Sequence, residues 1–127
     1  MRIIRGKNKG KKIYLPVDKS TRPLRDLVKE SIFNLIEHSN QFNVSIANSI
    51  VLDLFSGTGS FGLECISRGA CKVTFIEQDE NALKKLQKNL IELSILNQCK
   101  IIKSKMEDLN FSNQKEKLKS INQYVVM

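Results

Sequence analysis

Apolar positions along this chain follow two periods, and the change of period marks the change of element. Leu24, Leu27, Val28, Ser31, Ile32, Leu35 and Ile36 recur at i, i+3, i+4, i+7, which predicts an amphipathic helix with these residues on its buried face. Pro23 suits its first turn, where a missing N–H costs little. After the polar stretch 39–49, short apolar runs alternate with helical ones. Residues 50–55, 72–77 and 100–103 predict strands. Residues 60–68 predict a helix stopped by Gly69. Asp79 is placed to cap a long helix reaching about Leu96, with Ala82, Leu83, Leu86, Leu90 and Leu93 on its buried side. The polar stretch 107–120 has room for a short helix, and residues 124–127 predict the opening of a fourth strand. At the front, residues 1–4 and 12–15 predict a hairpin about the turn between Gly6 and Gly10. Alternation of this kind predicts an α/β, Rossmann-like fold with a parallel sheet and right-handed crossovers.

Composition narrows the class. The chain has 127 residues, 41% hydrophobic and 27% charged. This fits one soluble globular domain that buries roughly two-thirds of its unfolded surface. No apolar run approaches the roughly 18 residues of a membrane span. The basic N-terminus lacks the apolar core of a secretory signal. Cys65, Cys71 and Cys99 are scattered without C-x-x-C pairs, as expected of reduced thiols serving as small buried hydrophobes in a cytoplasmic protein. His38 is the single histidine, which argues against a His-based metal site or catalytic triad.

The net charge is +8, and Arg2, Arg5, Lys7, Lys9, Lys11 and Lys12 crowd the first twelve residues with no acid among them. Two readings stand at this point: polyanion binding, with nucleic acid foremost, or a solvated lysine-rich surface.

The stretch VLDLFSGTGSFGLE, residues 51–64, holds most of the candidate chemistry. Gly57, Gly59 and Gly62 spell G-x-G-x-x-G, a spacing that brings backbone at a helix N-terminus close to a nucleotide-like ligand. Glycine tolerates positive φ and has no Cβ to hold a ligand away. Dinucleotides and S-adenosylmethionine (SAM) both bind such turns. Asp53 favours SAM over NAD, because a carboxylate there repels a pyrophosphate but partners a sulfonium and an ammonium. Glu77 ends the second strand, 20 residues after Gly57, where it can accept from ribose hydroxyls that NAD and SAM share. The other reading of Glu77 is a strand-end acid facing solvent. Gln78 and the segment from Lys105 through Met106 to Glu107 join as adenine-site candidates, since ligands of open α/β sheets sit beyond the carboxyl ends of the strands.

Together these segments resemble the RsmD-type family, which methylates the exocyclic N2 of a guanine in small-subunit ribosomal RNA. MRIIRGKNKGKKI (1–13) resembles the family's basic N-terminal hairpin. TRPLRDLVKESIFN (21–34) resembles its T-R-P-T-x-D-x-V-(K/R)-E-x-x-F-N helix. Residues 51–64 match its first cofactor motif, and FIE (75–77) its ribose-binding strand. The resemblance is collinear over nearly the whole chain and implies a Rossmann-like class I methyltransferase fold with SAM as cofactor. It implies that Asp53, Phe55, Gly57 and Gly59 shape the pocket for the methionine half of SAM, with Glu77 on the ribose. Arg22 would lie near the cofactor carboxylate or an RNA phosphate. Arg2, Arg5, Lys11 and Lys12 would contact RNA backbone.

The resemblance also sets expectations that this sequence departs from. Leu24 stands where the family has a small hydroxyl residue, and Lys105 where an acid or amide often follows strand three. The family's fourth strand leads into an Asp-Pro-Pro-Tyr motif that orients the guanine amine. These 127 residues end at YVVM (124–127), and their only prolines are Pro16 and Pro23. Positioning supplies roughly 7–11 kcal/mol of barrier reduction in favourable cases. The expectation is therefore a hairpin and helix over 1–38, and a SAM-binding core over 50–127 whose parallel sheet is incomplete. No catalytic residue is assigned, and the expectation is inactivity alone. The expected partners are ribosomal RNA or a small-subunit assembly particle, and a partner chain that completes the sheet. The alternative reading is a non-catalytic SAM- or RNA-binding module, or one half of a split methyltransferase.

Overall fold

The computed structural model describes residues 1–15, 22–38, 45–108 and 124–126, with backbone alone for 22–26, 106 and 124–126. Four strands, β1 (Ile50–Leu54), β2 (Lys72–Glu77), β3 (Cys99–Lys103) and β4 (Tyr124–Val126), form one parallel sheet in the order β3-β2-β1-β4. The helices are α1 (Arg22–His38), α2 (Ser60–Ser67) and α3 (Glu80–Glu92). The α/β alternation read from the sequence is the observed one. Strand order reverses between β1 and its outer neighbour β4, so the crevice at the carboxyl end of β1 is a switch point of the kind that binds ligands.

Element ends follow local chemistry. Asp79 caps α3, its side chain accepting the N–H of Ala82 at 2.8 Å. The helix stops at Glu92, short of the expected Leu96. Ser94 takes a left-handed conformation (φ 56), and the Ile95 N–H returns to the Leu90 carbonyl at 3.1 Å. This six-to-one bond is a Schellman closure, which satisfies a carbonyl the helix would leave open. A 3-10 turn, Leu96–Gln98, then leads into β3. Of the polar stretch expected to hold a short helix, Met106–Asp108 forms a 3-10 turn, and 109–120 lie outside the described residues.

The basic hairpin is present in reduced form. It has one antiparallel bridge, Arg2 to Lys12, supported by backbone bonds from Ile3 N–H to Lys11 O and from Ile13 N–H to Met1 O. Ile3 and Ile13 are buried in the same core as Phe33, Val51, Leu63, Ile66, Val73, Phe75, Leu86 and Leu90. Hairpin, α1 and sheet thus share one hydrophobic interior.

One expectation fails on α1. Leu27 (63% exposed), Val28 (46%) and Leu35 (57%) are not its buried face. Lys29 and Phe33 are, both at 0% exposure. The reason is a buried anion opposite the helix. Glu64 of α2 is fully buried and places its carboxylate 3.2 Å from the Lys29 Nζ and 2.9 Å from the Arg68 Nε. Phe33 sits beside this cluster, stacked on Phe61 with centroids 6.1 Å apart and covered by the Arg68 guanidinium at 4.4 Å. Charge pairing turns a lysine inward and rotates the hydrophobic stripe away from where periodicity alone puts it.

The Glu64 carboxylate also receives the backbone N–H groups of Ile4 (2.9 Å) and Arg5 (3.0 Å), which ties the hairpin to α2. Burial alone would raise its pKa. The Ile4 N–H, Arg68, the Arg5 N–H and Lys29 outweigh burial and hold it below the ordinary glutamate value. Ser67 adds to the clamp, accepting the Asn8 N–H and donating to the Arg5 carbonyl. Gly6 passes so close that a Cβ there would overlap the Ser67 carbonyl.

Candidate functional site

The glycine loop leaves β1 through Phe55, a non-glycine residue at φ 53 and 72% exposed. A left-handed conformation costs a side-chain-bearing residue roughly 1–2 kcal/mol. An exposed aromatic held there makes the loop a candidate for function. Phe55 borders two depressions. The larger, a cavity of about 490 Å³, is lined by Phe55, Ser56, Gly57, Thr58, Ser60 and Phe61 of the loop and α2. Its other walls are Met1 and Leu15 of the hairpin, Val28 and Lys29 of α1, and Ala82 of α3. The smaller is lined by Phe55, Ile76, Glu77, Gln78 and Ser104.

The three glycines of the motif do different work. Gly57 has φ 57, and an added Cβ would meet nothing within 4 Å, so its open side is available to a ligand. Gly59 (φ 90) is closed in: its Cβ would lie 2.4 Å from Leu86 Cδ1. A Cβ on Gly62 would lie 2.3 Å from Phe75 Cε1. Gly57 therefore keeps a left-handed turn with open space beside it, whereas Gly59 and Gly62 are small so that α2 and its loop can seat on the core.

Asp53 lies behind the loop at 3% exposure, outside both sets of lining residues. Its Oδ2 accepts the Gly62 N–H at 3.0 Å, which satisfies one of the unpaired donors at the start of α2. Gly59, the N-cap residue, has no side chain to do so. Burial is the main cause that pushes the Asp53 pKa up to about 7. The Gly62 N–H opposes the rise and Glu77 adds to it.

Glu77 faces the loop, not open solvent. Oε1 accepts the Gly57 N–H at 2.9 Å, and Oε2 accepts the N–H groups of Gln78 and Asp79 at 2.9 Å each. An ionised carboxylate offers about four acceptor sites, so one remains for a hydroxyl donor.

Among the lining residues that the sequence-based reading does not name, two carry polar chemistry of their own, Ser56 and Lys29. Ser56 Oγ is buried without a hydrogen-bond partner among the described residues, and Ser56 lines the larger cavity. A buried unpaired hydroxyl is costly and usually awaits a partner. Lys29 lines the same cavity, its Nζ also 3.3 Å from the Arg2 carbonyl. Periodicity does not distinguish Lys29 from a solvent-facing helix lysine; the one signal is its place at the (K/R) position of the motif that residues 21–34 resemble.

The structure brings Phe55 and Gly57 together at the larger cavity, and Phe55, Glu77 and Gln78 at the smaller one. Arg2, Arg5, Lys11 and Lys12 are exposed on the hairpin. Arg22 opens α1 and Met106 opens the 3-10 turn after β3, and their side chains lie outside the described residues. Burial raises the thiol pKa of Cys65, and pushes that of Cys99 up to about 12. Cys71 is exposed, so it is not the buried small residue expected of it.

This arrangement has relatives. The profile of the family described as "Conserved hypothetical protein 95" matches residues 1–123. The chain belongs to this family, the RsmD-type methyltransferases. It is 40% identical over 97 residues to the ribosomal RNA small subunit methyltransferase D of Buchnera aphidicola subsp. Baizongia pistaciae, covering 76% of this chain and 47% of that protein. Against the protein of the same name from Escherichia coli K12 it is 38% identical over 93 residues, covering 73% and 44%. The chain thus spans about half the length of the curated relatives it matches. Among solved structures, the yhhF protein of Escherichia coli is 33% identical with a TM-score of 0.64, over 82% of this chain and 52% of that one. HI0767 of Haemophilus influenzae is 29% identical with a TM-score of 0.60, over 97% and 74%. The RsmD-type resemblance and the Rossmann-like class I methyltransferase fold read from the sequence are therefore both correct. Among the described residues, no helix is long and apolar enough to cross a membrane, and no cluster of acidic, histidine or cysteine side chains could hold a metal ion.

Proposed function

We propose that this chain binds SAM in the crevice at the carboxyl end of β1 and serves methylation of small-subunit ribosomal RNA at a guanine amine. One observation carries the cofactor reading: Gly57, with open space on its Cβ side, and Ser56, whose Oγ is buried without a partner among the described residues, line a cavity of about 490 Å³, within the 300–1,000 Å³ usual for small-molecule sites. Glu77 stands at the rim of the adjoining depression with acceptor capacity left for a ribose hydroxyl. Family membership supports SAM over NAD.

SAM, when bound, supplies an electrophilic methyl group. The residues of this chain hold and shield it. Ser56 and the Gly57 backbone offer polar contacts, Phe55 and Phe61 exclude water, and Glu77 orients the sugar. Arg2, Arg5, Lys11 and Lys12 on the hairpin meet the RNA backbone, and Arg22 a carboxylate or phosphate. The Asp-Pro-Pro-Tyr that the family resemblance implies for the guanine amine is not in these 127 residues. We place the protein in the cytoplasm, where its RNA would be found.

Isothermal titration with SAM, S-adenosylhomocysteine and NAD tests the cofactor. The expected order is SAM and its homocysteine product well ahead of NAD, and preferential NAD binding overturns the proposal. Radiolabelled methyl transfer to small-subunit particles tests the rest. Robust turnover by this chain alone would show that residues other than the Asp-Pro-Pro-Tyr motif can position the base.

A further inference from the structure

Tyr14 gathers two ammonium groups. The Lys12 Nζ lies 4.7 Å from its ring centroid and the Lys88 Nζ 3.9 Å. Among the described residues neither lysine is paired with a carboxylate; the salt bridges there belong to Lys29, Arg68 and Lys103. The ring attracts each cation, yet the two cations repel one another. The spot holds surplus positive potential, which an approaching anion would relieve.

Its position is fixed from below. Asn89 of α3, fully buried, accepts the Tyr14 N–H at 2.7 Å and donates to the Tyr14 carbonyl at 3.1 Å. This pins the second arm of the hairpin beside Lys88. Lys84, exposed like Lys88, lies one turn earlier on the same face of α3, about 6 Å away along the axis. Leu15, next to Tyr14, lines the larger cavity. A line of cations thus runs along the seam between hairpin and α3, close to the cavity wall that Leu15 forms.

We propose that Lys12, Lys84 and Lys88, ordered around Tyr14, form a phosphate-binding track that carries the RNA backbone to the cavity. The proposal rests on the RNA reading above and adds α3 to a surface the sequence confines to the hairpin. With two ammoniums at its ring, Tyr14 orders cations instead of stacking a base, so the track is indifferent to sequence.

The test uses the full chain and a fluorescein-labelled RNA stem-loop, with anisotropy followed across a salt series. Lys84→Gln together with Lys88→Gln is expected to lower the slope of log K against log salt by about 1.5, at roughly 0.7–0.9 per lost phosphate contact. SAM affinity and the circular dichroism spectrum stay unchanged, which separates the effect from misfolding. If this variant keeps the parental slope while Arg2→Gln with Arg5→Gln lowers it, the track is wrong and the hairpin reading stands. If the parent chain shows no salt-dependent RNA binding, the RNA reading falls and the track with it.

Discussion

Replacing Glu64 by glutamine removes one negative charge from a site that four donors converge on, and the structure sets the size of the loss. The carboxylate is fully buried, 3.2 Å from the Lys29 Nζ and 2.9 Å from the Arg68 Nε, with the Ile4 and Arg5 N–H groups at 2.9 and 3.0 Å. Glutamine keeps one acceptor oxygen and turns an NH2 toward donors already in place. It also takes the anion away from Lys29, which is buried at 0% exposure. Breaking a buried ion pair on one side costs about 3–5 kcal/mol. A domain of this size has a total stability of about 5–15 kcal/mol. The expected drop in Tm is therefore about 10–20 °C, read by circular dichroism. The Ile4 and Arg5 amides should lose hydrogen-exchange protection ahead of the sheet. The pH dependence has a definite sign. The folded pKa of Glu64 is lowered, so its stabilisation is fully present above the unfolded glutamate value of about 4.3. It is lost as pH falls through the lower folded value. The gap between parent and variant should close in acid. A Tm loss under about 3 °C, the scale of an ordinary surface change, would refute the reasoning. So would a gap that persists in acid.

Three further outcomes follow from the site. Asp53 has a raised pKa of about 7, so its ionised form costs stability above that pH, and the cost is relieved as pH falls toward the unfolded aspartate value. If SAM binds beside it, binding at about pH 6 should release close to one proton, and little at about pH 8.5. Calorimetry in buffers of different ionisation heat measures this, and proton-neutral binding at the lower pH would remove Asp53 from the cofactor's field. Ser56→Ala should weaken SAM binding by about 2–13-fold, the equivalent of one hydrogen bond, and leave the Tm within 2–3 °C or slightly raised. An unchanged affinity would leave its buried hydroxyl without a ligand role. Gly59→Ala should lose about 2–4 kcal/mol in urea unfolding, from its left-handed conformation and overlap with Leu86. Gly57→Ala should lose only about 1–2 kcal/mol yet bind SAM poorly, and the reverse ranking would mean that the two glycines have been assigned the wrong tasks.

The strands were legible because buried parallel strands carry continuous apolar runs, and the Asp79 cap because its side-chain chemistry is local. The end of α3 was not. It depends on Ser94 accepting a left-handed conformation, which serine gives no sign of in sequence. The buried face of α1 was misread for a different reason. Lys29 turns inward only because Glu64, far along the chain, supplies its counter-charge, and periodicity assigns lysines to solvent. Within the site, Gly57 and Glu77 could be named from spacing, and Phe55 from the family resemblance. The tasks of Gly59 and Gly62 could not, since what crowds them is Leu86 and Phe75 across the core. Ser56 was invisible in the same way: a hydroxyl becomes informative only when folding buries it without a partner.

The hairpin's attachments set an order of events during synthesis. Its backbone is secured by Glu64, Ser67 and Asn89, at separations of 59 to 75 residues. At about 5–20 residues per second, the ribosome needs roughly 4–15 s to make Asn89 after Tyr14. Loop-closure entropy opposes such distant contacts until both partners exist. The most basic segment is therefore made well before the partners that fix it, and it spends that interval as an uncommitted cationic strand.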